Sequence, residues 1–429
     1  MAAPHLRRRL VEALAARLPF PYGWVILACV CAAGFSRAGS AVGTLSIFVE
    51  PMTREFGWSR TGISAAVSAG GILGALVAPA IGAFLDRNGA RAVLCLAVLL
   101  TGVPLLLLSF TQSLAFFFAL YCTARMSFAG PYDLGIYGSV VHWFVRRRAF
   151  ATSVATLAQM TGLVAMPLIA HFVMRSGGWR GAWVAVGASV LVIGFVPVWL
   201  LHVRRPEDLG QRPDGDPAPV VSPGGAGASF ASEPAYTRRQ ALGTPAFWLL
   251  SLFTLLVYPV QSGVSLHQAP LLIERGLDAG VAAAAVSTFA LLSAVAGFGY
   301  GFWPRRVPMR FALALVGATL ALSSVLMGNV QSAPMAYGAA ALFGLGIGGL
   351  LTLLPIAWAD YFGRESYGAI RGVALSVQVV AQAAGPVLSG ALRDATGNYA
   401  ASLPTLAVLA FAGSAAAFFA LPPAVSDAP

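Results

Sequence analysis

Gly82-Ala83-Phe84-Leu85-Asp86-Arg87-Asn88-Gly89-Ala90-Arg91 is a short charged interruption between two long apolar runs. No charged residue occurs from Thr61 to Leu85, and none from Ala92 to Ala124. Ionised side chains are costly in hydrocarbon, so the two runs read as membrane-crossing helices and the interruption as a loop at the water boundary. The rest of the chain repeats this alternation. Of its 429 residues 58% are hydrophobic and only 10% charged, against about 45–50% and about 25% in a soluble domain. A water-facing protein of this size could not cover its surface with so few polar groups. Twelve crossings of about 20 residues need roughly 240 mostly apolar positions, and the composition supplies them.

The expected fold is therefore an all-α membrane protein of twelve transmembrane helices in two pseudo-symmetric six-helix halves. The runs fall at 22–49, 60–85, 91–110, 114–143, 149–174, 181–203, 246–273, 281–303, 311–330, 333–361, 368–392 and 399–421. Residues 1–21 form an N-terminal segment, 22–203 a first bundle, 204–243 a linker, 244–421 a second bundle and 422–429 a tail. The linker holds Pro213-Asp214-Gly215-Asp216-Pro217 and Pro223-Gly224-Gly225, a composition that predicts a flexible connection. Small-xxx-small pairs, Gly70/Gly74 and Gly344/Gly348, predict close helix packing.

All basic residues are arginine, giving a net charge of +11. They punctuate apolar runs instead of lining one soluble face, so a nucleic-acid partner is not expected. Most fall at the N-terminus or in loops after even-numbered runs, including Arg87, Arg91, Arg146, Arg147, Arg148, Arg364 and Arg371. The other side holds only Arg54, Arg60, Arg175, Arg180, Arg275 and Arg393. The positive-inside bias places both termini in the cytoplasm, in the inner membrane of the cell. The halves echo each other. Pro51, Glu55 and Gly57 recur as Pro270, Glu274 and Gly276, and Trp143-Phe144 before Arg146 recurs as Tyr361-Phe362 before Arg364. Repeats of this kind mark transporter folds with a binding site near the midplane.

The interruption Gly82, Asp86, Arg87, Gly89, Arg91 resembles the signature loop of the major facilitator superfamily. That resemblance implies a cytoplasmic gate in which Asp86 caps a neighbouring helix or pairs with an arginine. The matching loop Gly299-Tyr300-Gly301-Phe302-Trp303-Pro304-Arg305-Arg306 lacks the acid. Pro21-Tyr22-Gly23-Trp24 and Trp143-Phe144-Val145-Arg146-Arg147-Arg148-Ala149-Phe150-Ala151 resemble the monocarboxylate transporters and the oxalate/formate antiporters. Members of those families often use an arginine in the eighth span for the substrate carboxylate; here 281–303 has no charge between its ends.

Three charges lie deep inside the runs, well away from their ends: Arg37, Arg125 and Asp133. Each costs about 2.5–3.5 kcal/mol or more in the bilayer core, so each is a functional candidate. At about 1.5 Å per residue they sit roughly 20, 27 and 15 Å from the cytoplasmic ends of their spans. Two cations against one acid favour an anion, and arginine's planar fork suits a carboxylate. Arg37 and Arg125 are thus expected to bind substrate, with Arg125 paired to Asp133 as the open alternative. Asp133 is the candidate for proton coupling. Tyr258, Gln261 and Gln382 supply hydrogen bonds at similar depth, with Pro259 opening the backbone of its helix.

None of the five histidines has an acid, Cys or second His at i+3 or i+4, and the four Cys lie in apolar runs. No metal, cofactor or enzymatic step is expected. The expected function is secondary active transport of a small organic anion, a monocarboxylate for preference, by alternating access, coupled to protons or a counter-anion. The alternative is an efflux pump for lipophilic or drug-like compounds on the same fold. The protein is expected to be a monomer in the lipid bilayer, by analogy with the superfamily.

Overall fold

The computed structural model describes residues 3–215, 234–303, 306–399 and 401–423. Pro217, Pro223-Gly224-Gly225, Arg305 and the end of the tail lie outside them. Every regular element among the described residues is helical. Ten helical stretches are long and apolar enough to cross a membrane. The chain divides into two compact units: the first is Met1–Ala235 with Gly363–Gly372, and the second is Tyr236–Phe362 with Val373–Pro429.

The first unit contains α1 (Ala3–Arg17), α2 (Gly23–Arg37), α3 (Val42–Phe56), α4 (Arg60–Asn88), α5 (Ala90–Leu107), α6 (Leu114–Ala129), α7 (Pro131–Trp143), α8 (Arg148–Ser189) and α9 (Val196–Leu201). The second holds α10 (Arg238–Leu242), α11 (Pro245–Glu274), α12 (Ala279–Tyr300), α13 (Met309–Gly328), α14 (Ala333–Phe362), most of α15 (Tyr367–Thr396) and α16 (Ser402–Phe419).

Two runs expected to be continuous are broken. The first is interrupted by a 3-10 turn, Ala38–Ser40, and an extended Ala41, so Arg37 becomes the last residue of α2. The 114–143 run divides at Gly130-Pro131. Proline has no N–H for the carbonyl four residues back, and its ring collides with that turn, so α6 stops and α7 restarts with Pro131 in its first turn. Asp133 then lies in the first turn of α7. Both breaks favour the charge they hold: a cation at a helix C-terminus and a carboxylate at an N-terminus.

The stretch Arg148–Leu201 is 54 residues long, about 80 Å if straight, far beyond a bilayer. It turns at Gly178, whose φ of 64° lies where a side chain would be strained. Trp179 Nε1 and Arg180 both bind Glu55 at the end of α3, which fixes the turn. Pro51 and Pro270 lie inside α3 and α11, and α3 runs on past the expected end of its span at residue 49. Both end on a left-handed glycine, Gly57 at φ 70° and Gly276 at φ 80°, which is the structural content of the sequence echo. Pro259 leaves α11 unbroken, contrary to expectation.

The glycine pairs act as packing sites. A Cβ on Gly70 would fall 2.6 Å from Arg125 Cβ, and one on Gly74 2.6 Å from Ala129 Cβ, so α4 and α6 touch backbone to backbone. In the second unit Gly344 and Gly348 bring α14 against Phe289 and Ser293 of α12 in the same way.

Candidate functional site

Where α2 ends and α6 nears its end, two guanidinium groups meet one ring. The Cζ atoms of Arg37 and of Arg125 each lie 4.2 Å from the centroid of Phe128. Arg37 is further held by protein acceptors: its Nε donates to the Phe128 carbonyl at 3.1 Å, and its Nη1 to Gln159 Oε1 at 2.6 Å. Gln159 Nε2 in turn faces Tyr137 Oη and the Ala155 carbonyl, both at 3.4 Å. Tyr137 Oη also approaches Thr156 Oγ1 at 3.5 Å. Arg37 thus sits on a short polar chain running from α2 through α8 to α7.

Arg125 differs. Its Nε is buried without a hydrogen-bond acceptor, and its guanidinium's described contact is the Phe128 ring. Among the described residues no carboxylate lies within ion-pair distance of Arg37 or Arg125. The pairing of Arg125 with Asp133 is not formed. The break at Gly130-Pro131 puts the two residues on separate helices, α6 and α7.

Asp133 instead meets Arg371, whose Nη2 donates to Asp133 Oδ1 at 3.1 Å. The two side chains are 7% and 1% exposed, so this pair is out of water. Arg371 was expected among loop cations; it lies in the second turn of α15, in the Gly363–Gly372 segment that belongs with the first unit. Tyr132, next to Asp133, is fully buried with its hydroxyl unpartnered.

In the second unit, Gln382 Nε2 donates to Gln261 Oε1 at 3.2 Å, joining α15 and α11. Tyr258 is buried on α11, 3% exposed. His267 is fixed by Tyr399 Oη at 2.8 Å and the Pro386 carbonyl at 3.2 Å. His202 is fully buried against Ser139 Oγ at 2.6 Å.

The signature loop is built around Gly363–Gly372. The Asp86 carboxylate accepts the backbone N–H groups of Gly368 at 2.8 Å and Ala369 at 2.7 Å, capping the start of α15. Gly82 lies against the Gly368 carbonyl, where a Cβ would collide. Gly89, at φ 84°, passes under Arg204, whose Nη2 donates to the Asp86 carbonyl at 2.8 Å. Arg87 is exposed and Arg91 half-buried.

The start of the 204–243 connection, expected to be flexible, is folded down here. Asp214 accepts N–H groups from Val145, Arg146 and Arg147 at 3.0, 2.6 and 3.0 Å. Arg205 pairs with Glu365 at 3.2 Å and Glu207 with Arg364 at 2.9 Å. Its polar composition reflects ion pairing, which composition alone cannot distinguish from solvation. Gln159, Phe128 and Arg371 were not singled out from the sequence. Arg371 had a signal, a charge inside the 368–392 run; Phe128 and Gln159 had none.

The sequence profile of the Major Facilitator Superfamily matches residues 26–386, and the chain belongs to that family. It is 26% identical over 410 residues to mouse Monocarboxylate transporter 11, covering 92% of this chain and 86% of that one. It is 29% identical over 301 residues to the Membrane sensor protein UhpC of Salmonella typhimurium, covering 67% and 66%. Among solved structures, the human organic anion transporter MFSD10 superposes with a TM-score of 0.68 at 17% identity, over 94% of this chain and all of that one. The protein is a multi-pass membrane protein similar to the monocarboxylate transporters.

Proposed function

We propose that this chain is a secondary active transporter that moves a small organic anion, a monocarboxylate in the simplest case, across the inner membrane by alternating access, coupled to protons or a counter-anion. One observation carries the reading. Arg37 and Arg125 share one aromatic ring at helix breaks, with no carboxylate within ion-pair distance among the described residues. Uncompensated guanidinium in a bilayer is costly, and an anionic cargo supplies the missing charge at the moment of binding. The similarity to mouse Monocarboxylate transporter 11 supports the same class. Asp133, the acid deep in a span, is occupied by Arg371, which disfavours its use for a cationic drug and so the efflux reading. Protonating Asp133 removes the charge that holds Arg371, so coupling there links protonation to release of Arg371.

On this reading the ten long helices become twelve crossings, with α6 and α7 forming one and Gly178 dividing another. The arginine distribution puts both termini in the cytoplasm. Asp86 with Gly82, Arg87, Gly89 and Arg91 forms the cytoplasmic gate, while Tyr258, Gln261 and Gln382 are further candidate cargo contacts. The test is uptake of labelled lactate, pyruvate, oxalate and formate into proteoliposomes. Saturable uptake that is lost in Arg37→Ala and Arg125→Ala, with folding intact, supports the assignment. Export of a cationic dye that ignores both substitutions overturns it.

A further inference from the structure

Arg37 and Arg125 are held in unlike ways. Arg37 keeps two hydrogen bonds, to the Phe128 carbonyl and to Gln159, whatever the Phe128 ring does. Arg125 has no described hydrogen bond, its Nε is buried and unmet, and its guanidinium rests on the ring at 4.2 Å. Its stem is fixed by Gly70, which admits α6 so closely that a Cβ there would overlap Arg125 Cβ and Cγ. The stem is therefore clamped by packing, while the charged head is aimed by an aromatic face. A ring's negative face attracts a cation electrostatically, more strongly when water is absent. The same ring takes Arg37 at 4.2 Å, so one side chain engages two like charges that would otherwise repel.

We infer that Phe128 is a positioning residue for anion recognition: its π face aims the Arg125 guanidinium beside Arg37, so that the two act as one receptor. This rests on the anion-carrier reading and adds to it the residue that sets the spacing of the two cations. Because Arg37 has other anchors and Arg125 does not, the loss of the ring should resemble the loss of Arg125.

The experiment is concentration-dependent proteoliposome uptake of lactate, pyruvate, oxalate and formate by the full chain, with thermal melting of each purified variant as the folding control. Phe128→Leu keeps apolar volume and removes the π face; Phe128→Tyr and Phe128→Trp keep the face. Phe128→Leu is expected to raise KM about tenfold with little change in maximal rate, and Phe128→Tyr to restore it. In a double-mutant cycle with Arg125→Gln the effects are non-additive, whereas with Arg37→Gln they add. An unchanged KM in Phe128→Leu, or a loss that Tyr and Trp do not rescue, overturns the positioning role and leaves the carrier reading standing. Absence of saturable uptake of every anion by the unsubstituted protein overturns the carrier reading, and this inference with it.

Discussion

Two regions of the first unit treat charge in opposite ways. Around Gly363–Gly372 the described carboxylates are answered: Asp86 by two amides, Asp214 by three, Asp133 by Arg371, Glu365 by Arg205 and Glu207 by Arg364. Around Phe128, two cations are gathered and no acid is supplied. On the proposed reading, the answered charges hold the fold and the unanswered ones take the anion. The difference separates stability from function within one bundle, because removing a charge has opposite consequences in the two places.

The largest effect is expected at the Asp133–Arg371 pair. Asp133→Asn removes the carboxylate that Arg371 meets in a buried pair, and breaking such a pair from one side costs about 3–5 kcal/mol. Equilibrium unfolding in detergent should show this, and Asp133→Asn combined with Arg371→Met should recover most of it. Retention of full stability in the single variant would erase the contrast between the regions. Arg125→Ala is the opposite case: a buried charge without a partner is a liability, so melting should be unchanged or raised while anion uptake is lost.

Smaller effects probe the scaffold. Gly70→Ala puts a methyl group into the backbone contact between α4 and α6, with an expected cost of about 1–3 kcal/mol and a displaced Arg125. Uptake should therefore fall more than stability does. Gly74→Ala, which touches Ala129 and not an arginine, should lower stability alone. Asp214→Ala and Asp86→Ala remove carboxylates from helix starts at about 0.5–2 kcal/mol each. Limited proteolysis should then cut near residue 215 in the Asp214 variant only. Glu207→Gln and Glu365→Gln break part-exposed pairs worth about 0–1 kcal/mol and should leave melting almost unmoved.

The local features were legible in sequence. Apolar runs, the Gly70/Gly74 and Gly344/Gly348 contacts and the Asp86 loop are local patterns; the structure shows the runs as helices, the glycines at close contacts and Asp86 capping the start of α15. The breaks at Ala38–Ser40 and Gly130-Pro131 were less so. Proline in a membrane helix is as compatible with continuity as with a stop: Pro131 ends a helix, while Pro259 does not. Neighbouring packing decides between them. The polar connection after α9 misled for a related reason, since Asp214 and Glu207 look solvated until their partners are known.

The chain's sequence alone determined that it is a bundle of membrane helices with charges stranded inside, because the transfer cost of each side chain is summed over a local window and needs no partner. Only the tertiary structure decided what those charges mean. Asp133 finds Arg371 across 238 positions and Arg37 finds Gln159 across 122, and Phe128 comes under two guanidiniums. Electrostatics falls off with distance in space and not along the chain, so the choice between a strut and a binding group was made by folding.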